Sequence, residues 1–223
     1  MDERLSKLGV LITSHPKQQK FWQHGLGSWE GCPFFLLMGY DDVETSAKEV
    51  PFSQFMPPVK ELFFSNHPKG TIGHFRGELE QMQKGGLILK EKGYEWIYKT
   101  AADTTCWKWR NLQRMFSALG DKDFVMCGTA IIFGKLDSFN KCMELWFADL
   151  KSGGAELYFN SQIRRYNMRT RPERAPWWED VLGRIHTQGE YALNNDMNVI
   201  RTWVNGHVWG EDFKHRDIIE GRY

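Results

Sequence analysis

The segment EWIYKTAADTTCW, from Glu95 to Trp107, starts as an apolar strand and finishes in small polar residues around one carboxylate, Asp103. An ammonium group, hydroxyls and a carboxylate gathered in so short a stretch are the materials for holding a charged or heavily hydroxylated ligand. Two other apolar runs end in the same way. LGVLIT (Leu8 to Thr13) stops at Ser14-His15-Pro16, and FFLLM (Phe34 to Met38) stops at Gly39-Tyr40-Asp41-Asp42. In open α/β sheets, ligands sit outside the carboxyl ends of the strands, so three such endings would form one polar rim.

The scaffold that would carry this rim follows from the spacing of apolar residues. After Pro16, KQQKFWQHGLGSWEG places Phe21, Trp22, Leu26 and Trp29 at near-helical intervals. The stretch from Val43 to Pro58 holds three prolines and little pattern, which predicts a loop. LFFS, Leu62 to Ser65, fits a third strand. HFRGELEQMQKGGLILKEKG then sets Phe75, Leu79, Met82 and Leu89 on one helical face, although two adjacent glycines interrupt it. WRNLQRMFSAL predicts a further helix. FVMCGTAIIFG, Phe124 to Gly134, predicts a strand pair or a bent strand. Asp137 or Ser138 is suited to cap a helix carrying Phe139, Met143, Trp146 and Leu150, and AELYFNSQIRRYN begins another after Gly153-Gly154. Strands alternating with helices predict an α/β fold: a mixed, mostly parallel central sheet flanked by helices, in a single domain over residues 1–223.

Composition narrows the function classes. Lys and Arg total 29 against 28 Asp and Glu, a net charge of +1, so general nucleic-acid binding by excess positive charge is not expected. The run QIRRYNMRTRPER, Gln162 to Arg174, is a local basic patch able to meet phosphates. Ten Trp, 15 Phe and 7 Tyr supply either a large aromatic core or stacking faces for a flat ligand. The four cysteines, Cys32, Cys106, Cys127 and Cys142, fall in no zinc-binding or disulfide-framework spacing. No run approaches the roughly 20 apolar residues of a membrane span, and MDERLSKLGVLIT has no signal-peptide pattern, so a cytoplasmic protein is expected.

Taken together, LGVLITSH, the acidic pair Asp41-Asp42, GHFRGEL around Arg76 and EWIYKTAADTT resemble, in order and architecture, the nucleotide-sugar-dependent glycosyltransferases of the GT-A fold. The likeness spans roughly Leu8 to Trp209. It implies donor contacts from Thr13, Ser14 and His15 after the first strand, from Asp41 and Asp42 near base and ribose, and from Arg76 and Lys99 toward the diphosphate. It also implies a divalent manganese or magnesium ion held by Asp103, with His207 in TWVNGHVWG as a further ligand. The family pattern has two aspartates in an Asp-x-Asp arrangement; here Ala101-Ala102-Asp103 keeps only the last. One carboxylate still suffices where diphosphate oxygens and water complete a mixed oxygen shell. Asp103 is equally suited to capping the following WKWRNL segment.

Transfer of a sugar from a nucleoside diphosphate needs charge stabilisation on the departing phosphates and, with inversion, a base for the acceptor hydroxyl. The resemblance points to Glu156 in SGGAELYFNSQ as that base, with Asp180 in PWWEDVLG as competitor; Glu156 also suits a helix N-terminus without any chemistry. Gly128, inside a strand-like run, marks a place of close approach by another backbone or a ligand, and the resemblance implies a donor-sugar or acceptor contact there. The acceptor implied is a surface glycan or a hydroxymethylated DNA base. Two other readings compete: a non-catalytic nucleotide-sugar or carbohydrate binder, and a metal-dependent phosphohydrolase or nuclease using Asp41, Asp42 and Asp103.

Overall fold

LGVLIT, with its β-branched and aliphatic side chains, forms β1 (Leu8–Thr13), and every residue of it is buried. The computed structural model describes residues 3–14, 26–27, 29–42, 58–66, 74–102, 104–106, 112–127, 131–144, 155–166, 168, 192–193 and 199–201. β2 (Phe35–Asp42), β3 (Glu61–Asn66), β4 (Trp96–Ala101), β6 (Phe124–Cys127) and β7 (Ile131–Lys135) join β1 in a six-stranded sheet of order β3-β2-β1-β4-β7-β6. The four strands β3, β2, β1 and β4 run parallel. β7 is antiparallel to β4, and β6 to β7. The fold is therefore α/β with a mixed, mostly parallel sheet. A small antiparallel sheet, β5-β9-β8, is formed by β5 (Thr104–Cys106), β8 (Ala192–Leu193) and β9 (Val199–Arg201).

Strand alternation sends side chains to two distinct cores. Leu11, Leu37, Ile97 and Ile132 face one side, where they pack with Leu79, Met82 and Leu89 of α1 (His74–Glu91), Leu136 and Phe139 of α3 (Leu136–Cys142) and Phe159 and Ile163 of α4 (Ala155–Arg165). Val10, Ile12, Leu36, Met38, Tyr98 and Phe133 face the other, against Leu26, Trp29, Phe34 and the Met115, Phe116 and Leu119 stripe of α2 (Gln113–Leu119). Each fully buried aliphatic or aromatic side chain contributes about 1.5–3 kcal/mol relative to exposure.

The glycine pair inside α1 has a packing explanation. A Cβ at Gly85 would strike the Leu11 side chain, and one at Gly86 would strike Asn140 Oδ1. Leaving out those two side chains lets the helix lie close on β1 and α3, which outweighs the loss of about 1 kcal/mol in propensity per glycine.

Several expected boundaries differ, three of them with a cause elsewhere in the fold. β2 runs on through Asp42, because β3 lies alongside and pairs Asp41 with Ser65 and Asp42 with Asn66. The strand containing Lys99 continues to Ala101, since β1 offers Ile12 and Thr13 as partners for Thr100 and Ala101. α3 begins at Leu136, with extended Lys135 at the N-cap and no side-chain cap; it ends at Cys142, so Met143 stands just past it. Asp137 in its first turn instead meets Lys90 at 2.7 Å. Trp146 and Leu150 lie outside the described residues. Among the described residues, no helix is long and apolar enough to cross a membrane.

Candidate functional site

The chain builds β1, β2 and β3 outward in one direction and then returns to lay β4 on the opposite side of β1. Because crossovers between parallel strands are right-handed, such a reversal puts successive connections on opposite faces. Here the Leu26–Phe34 stretch covers one face and α1 the other. The strand order thus reverses between β1 and β4, which makes their carboxyl ends a topological switch point. Both strands finish in register there: Thr13 pairs with Gly39 of β2 and with Ala101 of β4.

Backbone and side-chain hydrogen bonds fix this edge. The Ala102 amide donates to the Thr13 carbonyl at 2.8 Å, and the Thr13 hydroxyl donates to the Thr100 carbonyl at 3.3 Å. Ser14 is buried; its hydroxyl donates to the Gly39 carbonyl at 2.6 Å. Farther along the rim, Ser65 donates its hydroxyl hydrogen to the Tyr40 carbonyl at 3.2 Å. The Thr100 hydroxyl, also buried, finds no hydrogen-bond partner among the described residues.

From the α1 side, two polar residues of the otherwise apolar stripe reach the same edge. Gln81, 1% exposed, accepts from the Ser14 amide and donates to the Ser14 carbonyl, both at 2.9 Å. Glu78, one turn earlier, holds the Lys99 ammonium at 2.5 Å. Lys99 is fully buried, whereas the Glu78 side chain remains 30% exposed. An ammonium without water needs such an anion, since an uncompensated buried charge costs several kcal/mol. Gly39 leaves room for this arrangement: a Cβ there would come within 2.7 Å of Gln81 Oε1 and 2.8 Å of Phe63 Cζ.

The residues expected from sequence are thus distributed as follows. Thr13 and Ser14 stand at the switch point. Asp41 and Asp42 occupy the end of β2 beside β3, beyond the reach of β1 in the ladder. Arg76 lies in the first turn of α1, and Glu156 in the first turn of α4. Lys99 sits inside β4 rather than past its end and is directed to Glu78. His15, Asp103, Gly128, Asp180 and His207 lie outside the described residues. Directly after Asp103, Thr104 pairs with Arg201, so β9 returns the C-terminal part of the chain to the end of β4. Among the described residues, no group of three His, Cys, Asp or Glu could hold a metal ion.

Gln81 was not indicated by motif or resemblance. The signal was nonetheless present: a glutamine on the same helical stripe as Glu78 and Gly85, where apolar residues are expected.

No family model matches the sequence, and no curated protein matches it. Solved structures with related architecture include a protein from Desulfovibrio desulfuricans G20 assigned as a nucleotide-diphospho-sugar transferase. It is 12% identical with a TM-score of 0.49, over 74% of this chain and 78% of that one. A Bacillus anthracis protein assigned as a glucose-1-phosphate thymidylyltransferase, solved with sucrose, is 10% identical with a TM-score of 0.48, over 74% and 86% of the two chains. S. aureus TarS 1-349 in complex with UDP-GlcNAc is 13% identical with a TM-score of 0.37, over 54% of this chain and 33% of that one. At such identities and scores these likenesses say nothing about the chemistry of this chain.

Proposed function

We propose that this chain is a nucleotide-sugar-dependent glycosyltransferase whose donor lies across the switch point between β1 and β4. One observation carries the reading: the parallel strands β1 and β4 end in register, Thr13 against Ala101, with Ser14 and Ala102 just past them at the point where the strand order reverses. Thr13, Ser14 and His15 would face the nucleoside, with Asp41 and Asp42 nearer its base and ribose. Arg76 in the first turn of α1 supplies positive charge toward the diphosphate, where the helix N-terminus also favours anions. Lys99 would serve the same end of the donor chiefly by anchoring α1 through Glu78. Gly128 is assigned to the donor sugar.

In the inverting course of the reaction, the acceptor hydroxyl oxygen forms a bond to the anomeric carbon while the bond from that carbon to the diphosphate breaks. The hydroxyl proton passes to the carboxylate of Glu156, with Asp180 as the competing base, and the nucleoside diphosphate leaves with the bonding electron pair. A manganese or magnesium ion, where bound, would neutralise charge on the departing phosphates; Asp103 and His207 are its assigned ligands. The pairing of Thr104 with Arg201 supports grouping these two, because it joins the segment after Asp103 to the C-terminal region that precedes His207. The acceptor class proposed is a surface glycan or a hydroxymethylated DNA base.

Calorimetric titration with UDP, GDP, ADP and CDP, with and without manganese, tests the donor site. Binding of at least one diphosphate, weakened in Asp103→Ala only when manganese is present, is the expected result. No heat from any of the four at millimolar concentration would end this reading.

A further inference from the structure

Ser14 is the residue at which the chain departs from the sheet, one position past the last β1 pairing, and it is buried. Ser14 itself has no register partner in β2 or β4 among the described residues, and leaving its buried amide and carbonyl unpaired would cost about 1–3 kcal/mol each. Both are satisfied by one side chain, the Gln81 carboxamide. A carboxamide carries the same donor and acceptor as a peptide group, so Gln81 supplies strand-like hydrogen bonds just where β1 runs out. We propose that Gln81 is a positioning residue: it sets the exit of the chain from β1, and so the donor-facing geometry of Ser14, without itself touching the ligand. This rests on the transferase reading above.

Three further observations agree. Gln81 is held against the sheet by its own burial. Gly39, opposite Thr13, has no side chain where the carboxamide lies. The Ser14 hydroxyl is committed to the Gly39 carbonyl, so Ser14 is fixed through three polar groups at once. Removing the carboxamide releases two of them and leaves the third.

The test uses Gln81→Met, which keeps volume, and Gln81→Glu, which keeps shape. It measures amide-exchange protection at Ser14 by NMR, thermal stability, and affinity for the tightest of UDP, GDP, ADP and CDP. An ionised carboxylate at this position can accept from the Ser14 amide but repels its carbonyl; protonated, it regains both bonds. Burial raises the pKa of the introduced carboxyl, so its clamp is present below the ordinary glutamate range and is lost as pH rises through the raised value.

At neutral pH Q81M is expected to lose Ser14 amide protection and to bind the diphosphate about tenfold or more weakly, two net hydrogen bonds being at stake, whereas Q81E keeps the amide bond and loses affinity through repulsion of the Ser14 carbonyl. Relative to the wild type, Q81E recovers affinity on acidification as protonation restores the bond to the Ser14 carbonyl, and Q81M does not. A Q81M protein that melts earlier while its folded fraction keeps Ser14 protection and wild-type affinity overturns the proposal, since Gln81 would then be packing alone. So does a Q81E protein whose diphosphate affinity, relative to the wild type, does not change with pH. Failure of the wild type to bind any diphosphate overturns the transferase reading, and the proposal with it; binding that ignores Gln81 overturns the proposal alone.

Discussion

The two faces of the central sheet are built by different means. On the side of Trp29 and α2, the contacts are between rings and aliphatic groups: Phe116 meets Trp96 and Phe133 edge to face at 5.1 and 4.9 Å, and Trp29 lies 5.7 Å from Tyr98. On the α1 side, the apolar contacts near the middle of the helix give way, toward its N-terminus, to directional ones from Glu78 and Gln81. Area-driven packing tolerates small shifts, whereas a hydrogen bond weakens steeply with angle and an ion pair with distance. The face that meets the switch point through polar groups therefore fixes the rim, and the other face supplies stability.

The largest effect should come from the aromatic face. Phe116→Ala removes a buried ring and is expected to lower stability by about 3–5 kcal/mol in urea unfolding. Its folded fraction should keep diphosphate affinity; a parallel loss of affinity would erase the contrast between the faces. Next comes the ion pair. Glu78→Gln takes away the carboxylate facing a fully buried ammonium, at a cost on the order of 3 kcal/mol. Lys99→Met exchanges that ammonium for an apolar side chain of similar length and should stay within about 1 kcal/mol of the parent. Equal losses in both variants would mean that the pair itself, and not the burial of its charge, holds α1 in place.

The smallest effect sharpens the α1 face away from the rim. The Cys142 thiol is pushed up to about 12, chiefly by burial and further by the charge of Asp123. The unfolded chain ionises this thiol from about 9, so the folded state binds the extra proton between those values. Stability tied to it is whole below pH 9 and falls above it, by at most about 1.4 kcal/mol per pH unit. Cys142→Ala should flatten this part of the pH profile, and an unchanged slope above pH 9 would assign the loss elsewhere.

The α/β class was legible because apolar runs such as LGVLIT and FFLLM have strand length, while α1 carries a helical period over 18 residues. The collection of polar residues at strand ends was legible too, and the register brings Thr13, Gly39 and Ala101 side by side. The place of Lys99 was not. A lysine near the end of an apolar run reads as exposed, since an unpaired buried ammonium is prohibitive, and its partner Glu78 lies 21 positions away. The start of α3 was misjudged for a related reason: Asp137 and Ser138 are good capping residues locally, but they are drawn to Lys90 and Asp123 instead.

The sequence by itself determined which segments become strands and helices, though not where each of them ends, because hydrophobic period and chain punctuation act over a few residues. Only the tertiary structure decided that β4 falls beside β1, that Glu78 meets Lys99 and that Gln81 completes the end of the strand. Those pairings join residues far apart in the chain, and a partner reached through space leaves no periodicity behind to be read.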